Sequence, residues 1–275
     1  GLANVSVLPL DRLDRQDTRA LIEQVTIGRQ LPAEMMTQII DKTDGIPLFV
    51  EELTKAVTEA LAADSGASAD RSRLEQLLHV VPTTLRDLLA ERLDRLGPAR
   101  ETAQAAAVIG QEFDARLLEA ITRRPEHVQQ DIAQLVDAQI VVRRGAEMPT
   151  TYAFRHALIQ EAAYQSLLKS QRRKHHRQLA ETLERGVLPE LGDREPERIA
   201  QHYAAAGVVD RAIECWHQSG IRAAQRSANS EAIRQLSEAF TLVRQQPSSP
   251  TRSDTELSLL IALGIFAYAA VPLVD

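Results

Sequence analysis

Apolar residues recur along this chain at helical spacing, with glycine and proline dividing the runs. Asp14 and Asp17 stand at capping-box spacing ahead of Ala20, Leu21 and Val25, which predicts a helix with one apolar stripe. Pro32 opens a second helix, whose inner face carries Met35, Ile39 and Ile40. Gly45 and Pro47 break the chain, and Leu48, Val50, Leu53, Ala56, Val57 and Leu61 resume a helix. Residues 62–72 are small and polar and read as a linker. Thr84, with Asp87 three residues on, caps a helix bearing Leu85, Leu88, Leu89, Leu93 and Leu96. Gly97 ends it, and Pro98 starts an alanine-rich helix whose small side chains admit a close neighbour. Two short helices follow over 114–121 and 125–136. The period then changes: residues 140–143 and 152–155 are β-prone runs joined by a turn with Gly145 and Pro149. Helices return over 156–168 and 171–185, and from Pro196 onward they are alanine-rich, with Gly207 and Pro247 between them. Near the start, Val5, Val7 and Leu8 suggest one strand ended by Pro9, which needs a partner sheet.

Composition narrows this picture. The 275 residues leave room for about two domains, and 44% hydrophobic with 25% charged residues fits a folded chain. The formal charge of −6 does not suggest a nucleic-acid binder. Cys215 is the only cysteine, which excludes an internal disulfide or a cysteine zinc cluster and points to a reducing compartment. No basic segment followed by a long apolar run opens the chain, so a cytoplasmic location is expected. Residues 257–274 form an 18-residue run without formal charge, just under the ~20 that a membrane span needs. Gly264, Ser258 and Pro272 favour instead a buried helix of a stacked array, so no membrane span is expected. The chain begins at Gly1 and stops at Asp275 without a polar tail, which reads as a piece of something larger.

Four strings occur in order: TDGIPLFVEELTKAV, VPTTLRDLLAERLDRL, FRHALIQEAAYQSLL and ERIAQHYAAAGVVDRAIECWHQSGIRAA. Together they resemble the region that follows the nucleotide-binding core in the STAND class of AAA-like signalling ATPases. The nearest subgroup is the large bacterial proteins that carry such an ATPase beside an adenylate/guanylate cyclase domain. Large LuxR-type transcription regulators and proteins with kinase domains are also similar. The resemblance implies a mainly α chain: residues 1–10 as the last strand of an α/β P-loop core, 11–62 as a helical lid, and 63–81 as a linker and short helix. It further implies a winged-helix domain with a small β-hairpin over 82–186, and TPR-like α-solenoid repeats over 187–275. The chain has no G-x-x-x-x-G-K-[S/T] loop and no strand ending in paired acids, so ATP hydrolysis by this region alone is not expected. In the full-length protein the resemblance implies ATP or ADP with Mg, and none bound tightly by this region. The implied partners are the upstream NTPase core and an output domain in the same polypeptide, and a protein bound through the repeats.

Four residues carry the implied nucleotide site. Gly45 and Pro47 match the Gly-x-Pro motif of the lid, where the resemblance puts the proline near the adenine. The bare tripeptide equally marks a turn. Arg155-His156-Ala157 stands where related switch ATPases carry Met-His-Asp, whose histidine contacts the β-phosphate of ADP. Here alanine replaces the aspartate, and Arg155 is a second phosphate candidate; a capping or core histidine is the plain alternative. Lys169, Arg172, Arg173, Lys174 and Arg177 form a basic run, read functionally as a nucleic-acid or anion face. Read structurally, it is a solvated face paired with the acidic stretch 181–197, and missing aromatics favour that reading. His175 and His176 are adjacent and so point to different helix faces, which excludes a metal pair between them. Cys215 and Trp216 read as core, and Glu52 as surface.

Overall fold

The computed structural model describes residues 11–26, 31–63, 84–145, 151–186 and 196–269. The expected strand at Val5–Leu8 and most of the linker over 63–81 lie outside them. The chain is mainly α with one small antiparallel sheet, and it divides into two compact units, Gly1–Arg95 and Leu96–Asp275.

The first unit contains α1 (Arg15–Thr26), α2 (Ala33–Thr43), α3 (Pro47–Ala63) and α4 (Leu85–Asp94). Asp14 caps α1, its Oδ1 accepting from the amides of Gln16 and Asp17. Thr84 caps α4 as its spacing predicts, its hydroxyl accepting from the Asp87 amide at 3.1 Å. Ile22, Met35, Ile39, Val50, Leu53 and Val57 form one core, and Leu88 of α4 belongs to it. The first compact unit, with Leu88 in its core, runs to Arg95.

The turn between α2 and α3 is built on left-handed backbone, with Asp44 at φ 48° and Gly45 at φ 68°. It returns the chain against the start of α1, where the Leu13 amide donates to the Gly45 carbonyl at 2.9 Å. A Cβ at Gly45 would stand 2.1 Å from the Leu13 carbonyl oxygen. The glycine therefore serves a close backbone approach.

Glu52 is a correction. Expected at the surface, it is buried, with its side chain 2% exposed and paired with Arg92 of α4 and with Lys55 at 3.4 Å. Helix α3 packs against α1, α2 and α4, and a helix with neighbours on several sides has no solvated stripe left for Glu52. Its carboxylate meets two cations there, which the first pattern of apolar positions could not reveal.

The second unit starts from α5 (Ala99–Ile109), in which every residue from Thr102 to Ile109 is buried. Around it lie β1 (Glu112–Asp114), α6 (Ala115–Ile121), α7 (Val128–Asp137), β2 (Val141–Arg144), β3 (Thr151–Phe154), α8 (Ala157–Ser166) and α9 (Lys169–Glu184). Asp114 caps α6 and binds the Arg116 guanidinium with the same carboxylate. The sheet order is β1-β3-β2, all antiparallel, so the predicted hairpin is one part of a three-stranded sheet. Strand β1 is too short to show alternation, and its pairing is non-local: Phe113 stands opposite Tyr152 and stacks on it, ring centroids 5.9 Å apart.

Helix α9 packs on α5 and α6 and also on the next helix, so it joins the sheet-bearing part to a helical array. The array is α10 (Pro196–Ala206), α11 (Val209–Gln225), α12 (Asn229–Gln245) and α13 (Pro250–Ala269), each packed on the one before. Ala180, Tyr203, Trp216, Leu236, Val243 and Leu259 share its core, and Cys215 is buried there as expected. Gly220 lets α11 close on α12: a Cβ there would meet Leu236 Cγ at 2.6 Å. In α13 Leu259 is buried, while Leu257, Leu260, Ile261 and Ile265 are exposed. No described helix is long and apolar enough to cross a membrane.

Two outcomes follow for the first unit. Gly45→Ala must relieve both the collision with Leu13 and a left-handed backbone, and should cost about 2–4 kcal/mol in urea unfolding. Glu52→Ala removes the buried carboxylate that pairs with Arg92 and Lys55 and should cost roughly 3 kcal/mol by the same measurement, with Glu52→Gln intermediate.

Candidate functional site

The implied nucleotide residues fall in both units. In the first, Gly45 is buried and bonded through its carbonyl to Leu13, while Pro47 is exposed at the first turn of α3. The space above Gly45 is filled by the chain's own backbone. Pro47 thus offers a rigid apolar surface to solvent, and Gly45 holds the turn that presents it.

In the second unit, the chain leaves β3 through Arg155 and His156 and enters α8. The Arg155 side chain is exposed, and its amide donates to the Ile140 carbonyl at 3.0 Å. His156 occupies the N-cap position of α8 in extended backbone, φ −139° and ψ 143°, and its half-buried ring makes no capping hydrogen bond. The N-terminal end of α8, which this residue opens, carries first-turn amides of the kind that favour an anion. With Ala157 in place of an acid, no carboxylate in that position repels one.

The basic run on α9 is divided by its packing. Arg172 lies over the Tyr164 ring, 4.9 Å from its centroid, and donates to the carbonyls of Leu167 and Gln165. Arg177 pairs with Glu181 at 2.7 Å, and that hydrogen bond holds its pKa above the ordinary value. These two satisfy the structural reading of the run. Lys169, Arg173 and Lys174 remain exposed.

His175 and His176 do point apart. His175 lies near the backbone of Ile121 at the end of α6. His176 faces α10, where its Nδ1 lies 2.9 Å from Nδ1 of His202, while its Nε2 lies 2.9 Å from the Tyr164 hydroxyl. One ring donates across this contact and the other accepts. Burial first, then adjacent His175 and Arg172, push His176 down to about 4; burial first, then His176 and Arg198, push His202 down to about 3, so both rings are neutral at pH 7. Sequence reasoning missed His202. The available signal was His176 itself, one turn before buried Leu179 and Ala180 on the inner face of α9.

A second polar cluster joins the same two helices further along. The Tyr203 hydroxyl donates to Glu184 at 2.6 Å, and Glu184 also pairs with Arg211, which in turn reaches Glu214. Burial and the Glu184 carboxylate push Tyr203 up to about 12. Burial first, then Glu184, raises the Cys215 thiol, which is therefore inert at neutral pH. Among the described residues, no three His, Cys, Asp or Glu side chains gather as metal ligands.

No family model matches the chain. An uncharacterized protein of Rhizobium meliloti (strain 1021) is 31% identical over 272 residues, which is 95% of this chain and 25% of that protein. The chain thus spans about a quarter of the length of the curated relative it matches.

The buried imidazole pair sets an acid limit on stability. Its pKa values lie below the unfolded value of about 6.5, so the unfolded chain binds protons that the folded chain refuses as pH falls. This contribution is complete above about pH 7 and declines between about 6.5 and 3, costing on the order of 2–4 kcal/mol by pH 5. Urea unfolding at pH 7 and pH 5 should show that loss, and His176→Gln with His202→Gln should remove most of the difference.

Proposed function

We propose that this region is the regulatory part of a multidomain ATP-binding signalling protein, fused in its full-length form to an adenylate/guanylate cyclase output domain. The first helical unit acts as the lid of an upstream NTPase core. The sheet-bearing part of the second unit acts as a winged-helix domain, and the array from α10 onward begins a TPR-like solenoid for a protein partner. The region itself is not catalytic; ATP chemistry belongs to the core.

The observation that supports this reading most is the order of parts. A helical unit with an exposed Pro47 on a glycine-held turn precedes a helix-and-sheet part whose His156 opens the helix after the last strand. A sequentially packed helical array then follows. That is the order the sequence resemblance implies, and the relative is about four times longer than the matched segment, which leaves room for a core and an output domain.

In this reading Pro47 packs against the base, and His156, with the first amides of α8, donates to phosphate oxygens. Bound ADP, with Mg as it occurs in the full-length protein, contributes the negative charge on which lid and winged helix close. The closed form is favoured because it makes contacts to the nucleotide that the open form lacks. Exchange for ATP shifts the population and frees the array or the output domain.

The alternative is a LuxR-type regulator in which α9 lies on DNA. It is the weaker reading: Arg172 and Arg177 are already engaged within the chain, and only Lys169, Arg173 and Lys174 remain of the five. Cytoplasmic location follows from the proposed role.

ADP titration into the full-length protein checks the assignment. His156→Ala should weaken binding by about tenfold or more, that is ~1.4 kcal/mol, and Pro47→Ala by a smaller factor. Equal affinity in both variants would remove this region from the nucleotide site.

A further inference from the structure

Beside α9, on the face turned away from the array, is a cleft with no role in the reading above. It is about 60 Å³, well over the roughly 10–15 Å³ one water requires. Gln104 of α5, Thr122 and Arg123 after α6, and Gln171, Lys174 and His175 of α9 line it. Leu167, just past the C-terminal end of α8, closes one side, so the cleft lies about 15 Å along that helix from His156.

Three features point to a ligand. First, His175 Nδ1 is buried and has no hydrogen-bond partner. A buried polar atom left alone is costly, so such an atom calls for an occupant. Second, Arg123 and Lys174 have no carboxylate partner among the described residues. Third, their fields at His175 outrank that of Glu101, the one acid at the rim, so the cleft is net cationic where the orphan nitrogen sits.

We propose that this cleft binds a small phosphate group, as inorganic phosphate or a phosphomonoester, between Arg123, Lys174 and His175. Phosphate oxygens accept from the guanidinium and the ammonium. The Thr122 hydroxyl and the Gln171 amide nitrogen are further donors at the wall, since Gln171 Oε1 is already taken by the Leu168 amide while Gln104 donates to Ser166. His175 Nδ1 shares one proton with the ligand. At neutral pH the ring accepts it from a P–OH, and at lower pH the ring carries it as imidazolium. Burial, Lys174 and Arg123 hold the empty site's imidazole below its ordinary pKa, opposed by the Ile121 backbone and Glu101. An anion reverses the balance, so His175 becomes more basic when the cleft is filled.

Inorganic phosphate and methyl phosphate should be titrated separately into the chain at constant ionic strength. The readouts are heat and the imidazole resonance of His175, assigned by its loss in His175→Gln. The expected result is a saturable shift, an upward move of the His175 titration midpoint, and about five- to tenfold weaker binding in Arg123→Gln and in Lys174→Gln. Both residues are exposed, so their variants should fold. Arg143→Gln, an exposed cation on β2, should leave binding unchanged. Tighter binding of one probe identifies which phosphate source the cleft prefers. A shift that never saturates, or an equal loss in Arg143→Gln, would reduce the effect to general charge and overturn the site. Displacement of phosphate by a short DNA duplex that depends on Lys169 and Arg173 as strongly as on Arg123 would also overturn it, in favour of an open nucleic-acid face.

Discussion

The second unit depends on one helix being thin. Ala103, Ala105, Ala106 and Ala107 give α5 almost no side-chain bulk, so α6, α7, α8, α9 and β1 all close on it. From Thr102 to Ile109 the helix is buried, and its two polar side chains there, Thr102 and Gln104, find protein partners. Thr102 donates to Asp131 of α7 at 2.5 Å, and Gln104 donates to Ser166 at 2.8 Å. Gln160 of α8 reaches the Ala107 carbonyl at 2.7 Å. These bonds are spaced along α5, so they define how far each neighbour can slide as well as how close it comes. Through them the turn bearing His156 and the end of α8 at Leu167 are held to the same frame.

Helix α9 translates that frame into the array. One side carries His175 toward α6 and the other carries His176 toward His202, an arrangement that adjacent residues on a helix produce without further design. The basic residues between them are sorted by the same geometry. Arg172 is taken up by Tyr164 and two carbonyls, Arg177 by Glu181, and Lys174 is left facing a cleft. A run that reads as one charge patch therefore performs three separate tasks. This is also why a DNA-facing role for the whole run loses support.

Much of the local structure was legible from residue order. The Thr84–Asp87 cap, the Gly97–Pro98 break and the change of period near residue 140 all rest on interactions within a few residues. The candidate site was legible in kind but not in environment. Gly45 was singled out, yet its reason is the Leu13 carbonyl, more than thirty positions away. His156 was placed at a helix start, and it stands at the N-cap of α8. Arg123 and His202 were not singled out, because nothing in their spacing relates them to α9.

What the sequence determined by itself was the sort of element each segment forms, since capping, turn chemistry and hydrophobic period act over one or two helical turns. Only the tertiary structure decided which stripes are truly inside. It buried Glu52 against Arg92, gave β1 a partner in β3, left Leu260 and Ile261 of α13 exposed and paired His176 with His202. Each of these depends on a neighbour distant along the chain. Burial and electrostatic pairing are properties of the space between elements, and one element's pattern of residues carries no record of what stands across that space.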